Sequence, residues 1–170
     1  MLWPLWRRRE ASLWVEGELG MRSLQQRRAA NLLRDDRTVT FRTTLYGSAD
    51  IGGGRFRFST TLTQGLGLFG ATLRGDPLAS RPDAGGSFTA VNSWADWTVG
   101  LGSGFSLRLA AQGQLAFAPL LVTEEFGLGG TAFLRGYDWS ERSGDQGVTG
   151  LAELRYMANR PLGLVQRAQF

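Results

Sequence analysis

Neither cysteine nor histidine occurs anywhere in the 170 residues. The first absence removes disulfide staples and thiolate metal sites. The second removes imidazole acid/base work and every nucleophile that a histidine would activate. Catalysis, if there were any, would fall to carboxylates and arginine. Long hydrophobic runs are missing as well, since no stretch approaches the ~20 apolar residues of a membrane-spanning helix. The N-terminal segment MLWPLW is too short for a secretory signal, and its arginines follow the apolar run instead of preceding it. Any export signal is therefore expected outside this chain.

What is plentiful points to strands. Glycine contributes 24 residues, phenylalanine 10, tryptophan 6 and tyrosine 3, a profile of turns and flat faces rather than helices. The net charge is +4, from 19 basic and 15 acidic residues. The one dense basic run, Arg7-Arg8-Arg9, could face nucleic acid or anionic lipid, but it reads more simply as a solvated flank beside a strand. No nucleic-acid role is assigned to it.

Period-2 alternation of apolar and polar residues recurs six times. Phe105 to Phe117 is the clearest case, with Phe105, Leu107, Leu109, Leu115 and Phe117 on one side and Ser106, Arg108, Gln112 and Gln114 on the other. The same pattern runs through Leu13 to Met21, Val39 to Ala49, Phe56 to Leu66, Thr89 to Leu101 and Val148 to Tyr156, and Leu164 to Phe170 begins a seventh. These segments exceed the usual five or six residues of soluble strands and suit a tilted membrane-spanning strand of about 9 to 11. The connections alternate: long at Arg22 to Thr38, Gly67 to Phe88 and Ala118 to Gln146, short at Ile51 to Arg55 and Gly102 to Gly104. That places every long loop on one side, as in outer-membrane barrels.

Alternation alone does not separate a lipid-facing barrel from a lipocalin-like one with a dry core. Two details favour the membrane. Glu16, Glu18, Arg42, Arg57, Arg108, Glu153 and Arg155 stand at mid-strand on the polar side, which suits a water-filled lumen. Trp97, Phe105, Phe117 and Tyr156 stand near strand ends, where interfacial girdles belong. The reading is an all-β, antiparallel transmembrane barrel of which only six or seven strands are present. That is fewer than the roughly eight of the smallest closed barrel, and an open edge in hydrocarbon leaves costly unpaired backbone groups.

The third long connection carries the densest motif, EEFGLGGTAFLRGYDWSERSGDQGVTGLAELRY. Four elements follow one another: Phe126 with Gly129 and Gly130; Leu134-Arg135-Gly136-Tyr137; Gly144-Asp145 with Gly147; and Glu153-Leu154-Arg155. In this order they resemble the C-terminal region of the two-partner secretion transporters of the ShlB/FhaC/HecB kind, within the Omp85 superfamily. The segments TLTQGLGLFGA and SRPDAGGSFTAVN are similar too, so the likeness extends over most of the chain from about Leu13. Leu134 stands where that family carries valine.

The resemblance implies a fragment of a barrel of about sixteen strands, residues 1–170 forming its middle-to-late part. The family's POTRA domains, plug helix and closing strands have no counterpart here. It implies an outer-membrane location, a secreted exoprotein client, contact with outer-membrane lipid, and no cofactor, small-molecule substrate or nucleic acid. It also implies that Arg135 tips a loop folded into the lumen and pairs with an acid on the inner wall. A guanidinium is suited to this, because it stays charged and offers a planar fork to a carboxylate. Gly136 would allow the tight backbone and Tyr137 would pack against the wall.

In the family the acid lies two residues beyond a phenylalanine for which Phe170 is the candidate. Asp145 and Glu153 are the acids left within the chain, and either could take Arg135. An Omp85-type assembly factor for outer-membrane proteins is the alternative reading, and a non-functional truncated fragment another. A carboxylate hydrolase built on Glu16/Glu18 or Glu124/Glu125 is weak, because adjacent acids with no opposing partner lack the geometry of a catalytic pair.

Overall fold

The chain is described from a computed structural model, which covers residues 1–130, 133, 135–138, 140–158 and 168–169. Strand β1 is Leu2–Arg7, β2 Ala11–Arg28, β3 Asn31–Ile51, β4 Gly54–Gly65, β5 Thr89–Gly102, β6 Phe105–Ala116, β7 Phe126–Leu128, β8 Arg142–Gly144, β9 Gly147–Ala158 and β10 Ala168–Gln169. Eight of them form one antiparallel sheet in the order β1-β2-β3-β4-β5-β6-β9-β10, and β7 and β8 make a separate two-stranded ribbon. The sheet is not closed.

All six expected strands are present, and Ala168–Gln169 falls inside the seventh. Phe170 lies outside the described residues. An additional strand, β1, pairs with β2 through a bulge between Pro4 and Trp6. Pro4 interrupts its alternation, so the segment carries no period-2 signal. The expectation for Arg22 to Thr38 also needs correction. That stretch is not a loop but the continuation of β2 and β3, 18 and 21 residues long. It forms a two-stranded arm turned at Ala29, where φ is 53°, and it stands beyond the partners that β4 offers from Thr40 onward.

The register sorts the residues into two faces. Glu18, Arg42 and Thr63 share one row, and Ser48, Arg57 and Asp96 another. Thr98, Arg108 and Glu153 share a third. Arg42, Arg57, Arg108, Glu153 and Arg155 thus stand on one polar face. The opposite face carries Leu45, Phe56, Phe58, Leu62, Trp97, Leu109, Leu115 and Leu154. Leu19, Phe41, Leu62, Leu115, Val148 and Leu154 on this face are solvent-exposed, with no protein layer over them. Oily side chains left bare on this scale are incompatible with a dry-cored soluble barrel and fit a wall against lipid. At the short-turn end Phe105 and Tyr156 meet with ring centroids 4.8 Å apart, and the Trp97 indole N–H donates to the Ile51 carbonyl at 3.0 Å.

Where the polar face nears the long connections, it turns apolar. Phe88, Ala90, Ala116 and Leu120 form a small buried cluster there. Leu120 and Leu121 are fully buried, which makes them firm anchors for the segment that follows, at about 1.5–3 kcal/mol each.

Candidate functional site: the loop folded onto the polar face

The connection from β6 to β9 doubles back over the sheet. Its first half makes a 3-10 turn, Val122–Glu124, and enters the ribbon through Phe126. The ribbon returns through Gly144. Phe126 is buried, and its ring occupies the space above Gly147, where an added Cβ would come within 2.5 Å of the ring carbon Cδ1. The phenylalanine and the glycine of the motif are therefore one packing unit, twenty-one positions apart in the chain. At Gly129 φ is 127°, and a side chain would overlap the Asp138 carbonyl. Only glycine fits a left-handed backbone at so close an approach.

Polar contacts seat this loop on the sheet, from β2, where Arg22 donates to the Thr123 carbonyl at 3.1 Å, to β9. The Gln114 amide on β6 donates to the Glu124 carbonyl at 3.0 Å and the Asp145 carbonyl at 3.3 Å. Arg42 on β3 donates to Glu124 at 3.0 Å. On β9, Glu153 receives Arg135 from the loop and Arg155 from its own strand, while Arg108 on β6 stands 3.7 Å away. Arg108 continues to Asp96 at 2.6 Å, and Arg57 reaches the same carboxylate at 2.9 Å. Asp96 is 1% exposed, so its two guanidinium partners supply the compensation that a buried carboxylate requires.

Of the two acids left open for Arg135, the structure brings Glu153 to it. Asp145 is engaged elsewhere: its carboxylate accepts the Leu120 amide at 3.0 Å and Arg81 at 2.6 Å. Two expectations for the tetrad need correction. Gly136 has no positive φ and open space where a Cβ would stand, so the backbone demand falls on Gly129 and Gly130 instead. Tyr137 is 60% exposed and does not pack against the strands described; its carbonyl accepts the Gly130 amide at 3.1 Å. Leu134 lies outside the described residues. Glu124 and Glu125, considered above as possible catalytic acids, are each taken by an arginine, Arg42 and Arg81 respectively.

Sequence reading missed Arg81. It sits in the long connection between β4 and β5, inside the segment SRPDAGGSF, and binds three carboxylates. Nη1 donates to Glu125 at 2.9 Å and Asp145 at 2.6 Å, and Nη2 to Asp83 at 2.9 Å. Hydrogen bonding from Arg81 holds the Asp83 carboxyl below its ordinary range. Hydrogen bonding to Asp145, then to Asp83, raises the Arg81 pKa further from neutrality.

A long-stranded antiparallel sheet, bare and oily on one side, polar on the other and carrying an inward-folded loop, defines the wall of a transmembrane β-barrel. The family follows from the sequence: residues 3–168 match the model of the haemolysin secretion/activation protein ShlB/FhaC/HecB family, and the chain belongs to that family. Its members are outer-membrane barrels of bacterial two-partner secretion. The fold is similar to that of CdiB from Escherichia coli, with a TM-score of 0.78 and 21% identity, over 92% of this chain and 29% of that one. No curated protein sequence matches significantly. The chain thus spans well under half of CdiB's length.

Proposed function

We propose that this chain forms part of the wall and the gating loop of a pore that passes a large partner exoprotein, of the haemolysin or adhesin class, to the cell surface. The polar face is the lumen wall. The loop between β6 and β9 lies across it and narrows it, with Arg135 on Glu153 as the deepest hold. Glu153 lies six steps of extended strand beyond Gly147, where the loop rejoins the sheet. At 3.4 Å per residue the tip reaches about 20 Å along the wall. Client binding displaces the loop, and the unfolded client passes a surface on which arginines and carboxylates pair. Folding outside drives the movement, and no nucleotide is hydrolysed.

The observation that carries this reading is the Arg135–Glu153 pair, because it ties a loop to the middle of a barrel strand from the polar side. In the full-length protein, Arg135→Ala should abolish export of the partner exoprotein while the barrel remains inserted and heat-modifiable on a gel. Undiminished export by that variant would reject the assignment.

A further inference from the structure

The loop on the polar face is held at two levels, and only the deeper one involves its tip. At the mouth, Arg81 grips both sides of the ribbon's neck. Glu125 immediately precedes β7, and Asp145 immediately follows β8. The same Nη1 atom bridges their carboxylates at 2.9 and 2.6 Å. Its neighbour Ser80 works in parallel: the Ser80 hydroxyl accepts the Val122 amide at 3.2 Å, and the Ser80 amide donates to the Asp36 carboxylate at 2.8 Å. Asp36 belongs to the arm of β3 and is almost wholly buried. The Ser80-Arg81 pair thus joins the arm, the connection between β4 and β5, and the neck of the inward loop.

We propose that the two long connections form one gate, with Ser80 and Arg81 as its upper restraint. Arg81 is a positioning residue: it acts on the pore through the loop it holds. The proposal rests on the pore reading given above. It follows from how the restraints are placed. Losing the Arg135–Glu153 contact frees the tip but leaves the ribbon seated by Arg81, by the buried Leu120 and Leu121, and by Phe126 against Gly147. A passage wide enough for a polypeptide then requires the neck to part from Ser80 and Arg81. Arginine suits this position because one planar fork can serve three carboxylates at once, whereas a lysine ammonium is a point charge.

These 170 residues contain no cysteine, so an engineered pair has no competing thiol within them. Ser80→Cys with Val122→Cys, introduced into the full-length protein, places one thiol in the position of the Ser80 hydroxyl and the other on the residue whose backbone amide that hydroxyl now accepts. The oxidised, cross-linked protein is expected to stop exporting its partner, and reduction is expected to restore export. A fully cross-linked protein that exports normally overturns the single-gate proposal.

Failure of the pore reading itself looks different, since the reduced double variant and the unaltered protein would then export nothing either. A second arm avoids secretion altogether. On intact cells, trypsin should cleave at Arg142 in the Arg81→Ala protein, and should leave that bond intact in the unaltered protein and in Arg135→Ala. Equal protection of Arg142 in the Arg81→Ala protein also overturns the proposal.

Discussion

The Arg135 guanidinium ends on the Glu153 carboxylate, in the interior of β9 and on the same face as Arg108 and Arg155. Replacing Glu153 by glutamine should therefore reproduce the export defect of Arg135→Ala. The double variant should be no worse than either single one, as two partners of one contact are strongly coupled in a double-mutant cycle. Glu153→Gln has an additional cost that Arg135→Ala lacks, because Arg108 and Arg155 also lose their carboxylate. A loss of about 1–3 kcal/mol in barrel stability is expected, and the shift in urea midpoint of the refolded full-length protein measures it.

Gly147→Val tests the packing of the neck. A side chain there collides with the Phe126 ring, and overpacking of this kind costs about 1–3 kcal/mol. Because the collision lies between loop and strand, the loop should lift while the barrel stays folded. Increased tryptic cleavage at Arg142 with an unchanged heat-modifiable band is the expected result. Phe126→Ala combined with Gly147→Val should remove the collision and return part of the protection.

Adjacent residues on β4 distinguish the two faces. Leu62 lies on the oily side and Thr61 on the polar side, where its hydroxyl shares a 2.9 Å hydrogen bond with that of Thr44. An arginine on the lipid face costs about 2–4 kcal/mol near the bilayer midplane. Leu62→Arg should lower the amount of inserted barrel, and Thr61→Arg should leave it near normal, as read by heat-modifiable migration of outer-membrane fractions. Equal insertion of the two variants would contradict the assignment of faces.

Acid should weaken the support that Asp83 gives Arg81 only at low pH. The Asp83 carboxyl is depressed by its hydrogen bonds with Arg81. A depressed acid stabilises the folded arrangement above its ordinary pKa of 3.8 and loses that contribution as pH falls through the lowered folded value. The part of the ribbon's protease protection that depends on Asp83 should therefore be constant above about pH 5 and decline only in stronger acid. Asp83→Asn should remove this part of the acid response, which is measured with pepsin at low pH.

Much of the sheet was legible in the sequence. The six alternating segments, the two faces and the short turns depend on neighbours two residues apart, and period 2 is a local property of an extended chain. The arm of β2 and β3 was hidden because Arg22 to Arg28 and Arg34 to Arg37 are dense in polar residues on both faces. A ribbon standing clear of the bilayer has no need of an oily side. Strand β1 was hidden by Pro4, by its tryptophans and by Arg7, which break the alternation.

The site divides in the same way. Sequence order alone brought Phe126, Gly129, Gly130, Arg135, Asp145, Gly147 and Glu153 into one motif, since all lie within a single connection and the strand that follows it. Which acid takes Arg135 was decided by the fold. Asp145 and Glu153 are both close in sequence, but strand register places Glu153 on the polar face, while Asp145 is already committed to Arg81 and the Leu120 amide. Arg81 lies 64 residues from Asp145, a separation that no local pattern spans. Alternation along the chain determined that this protein builds a two-faced wall, because each residue's side is set by its immediate neighbours. Only the folding of distant connections onto that wall decided which charges meet, because ion pairing depends on distance in space and not on position in the sequence.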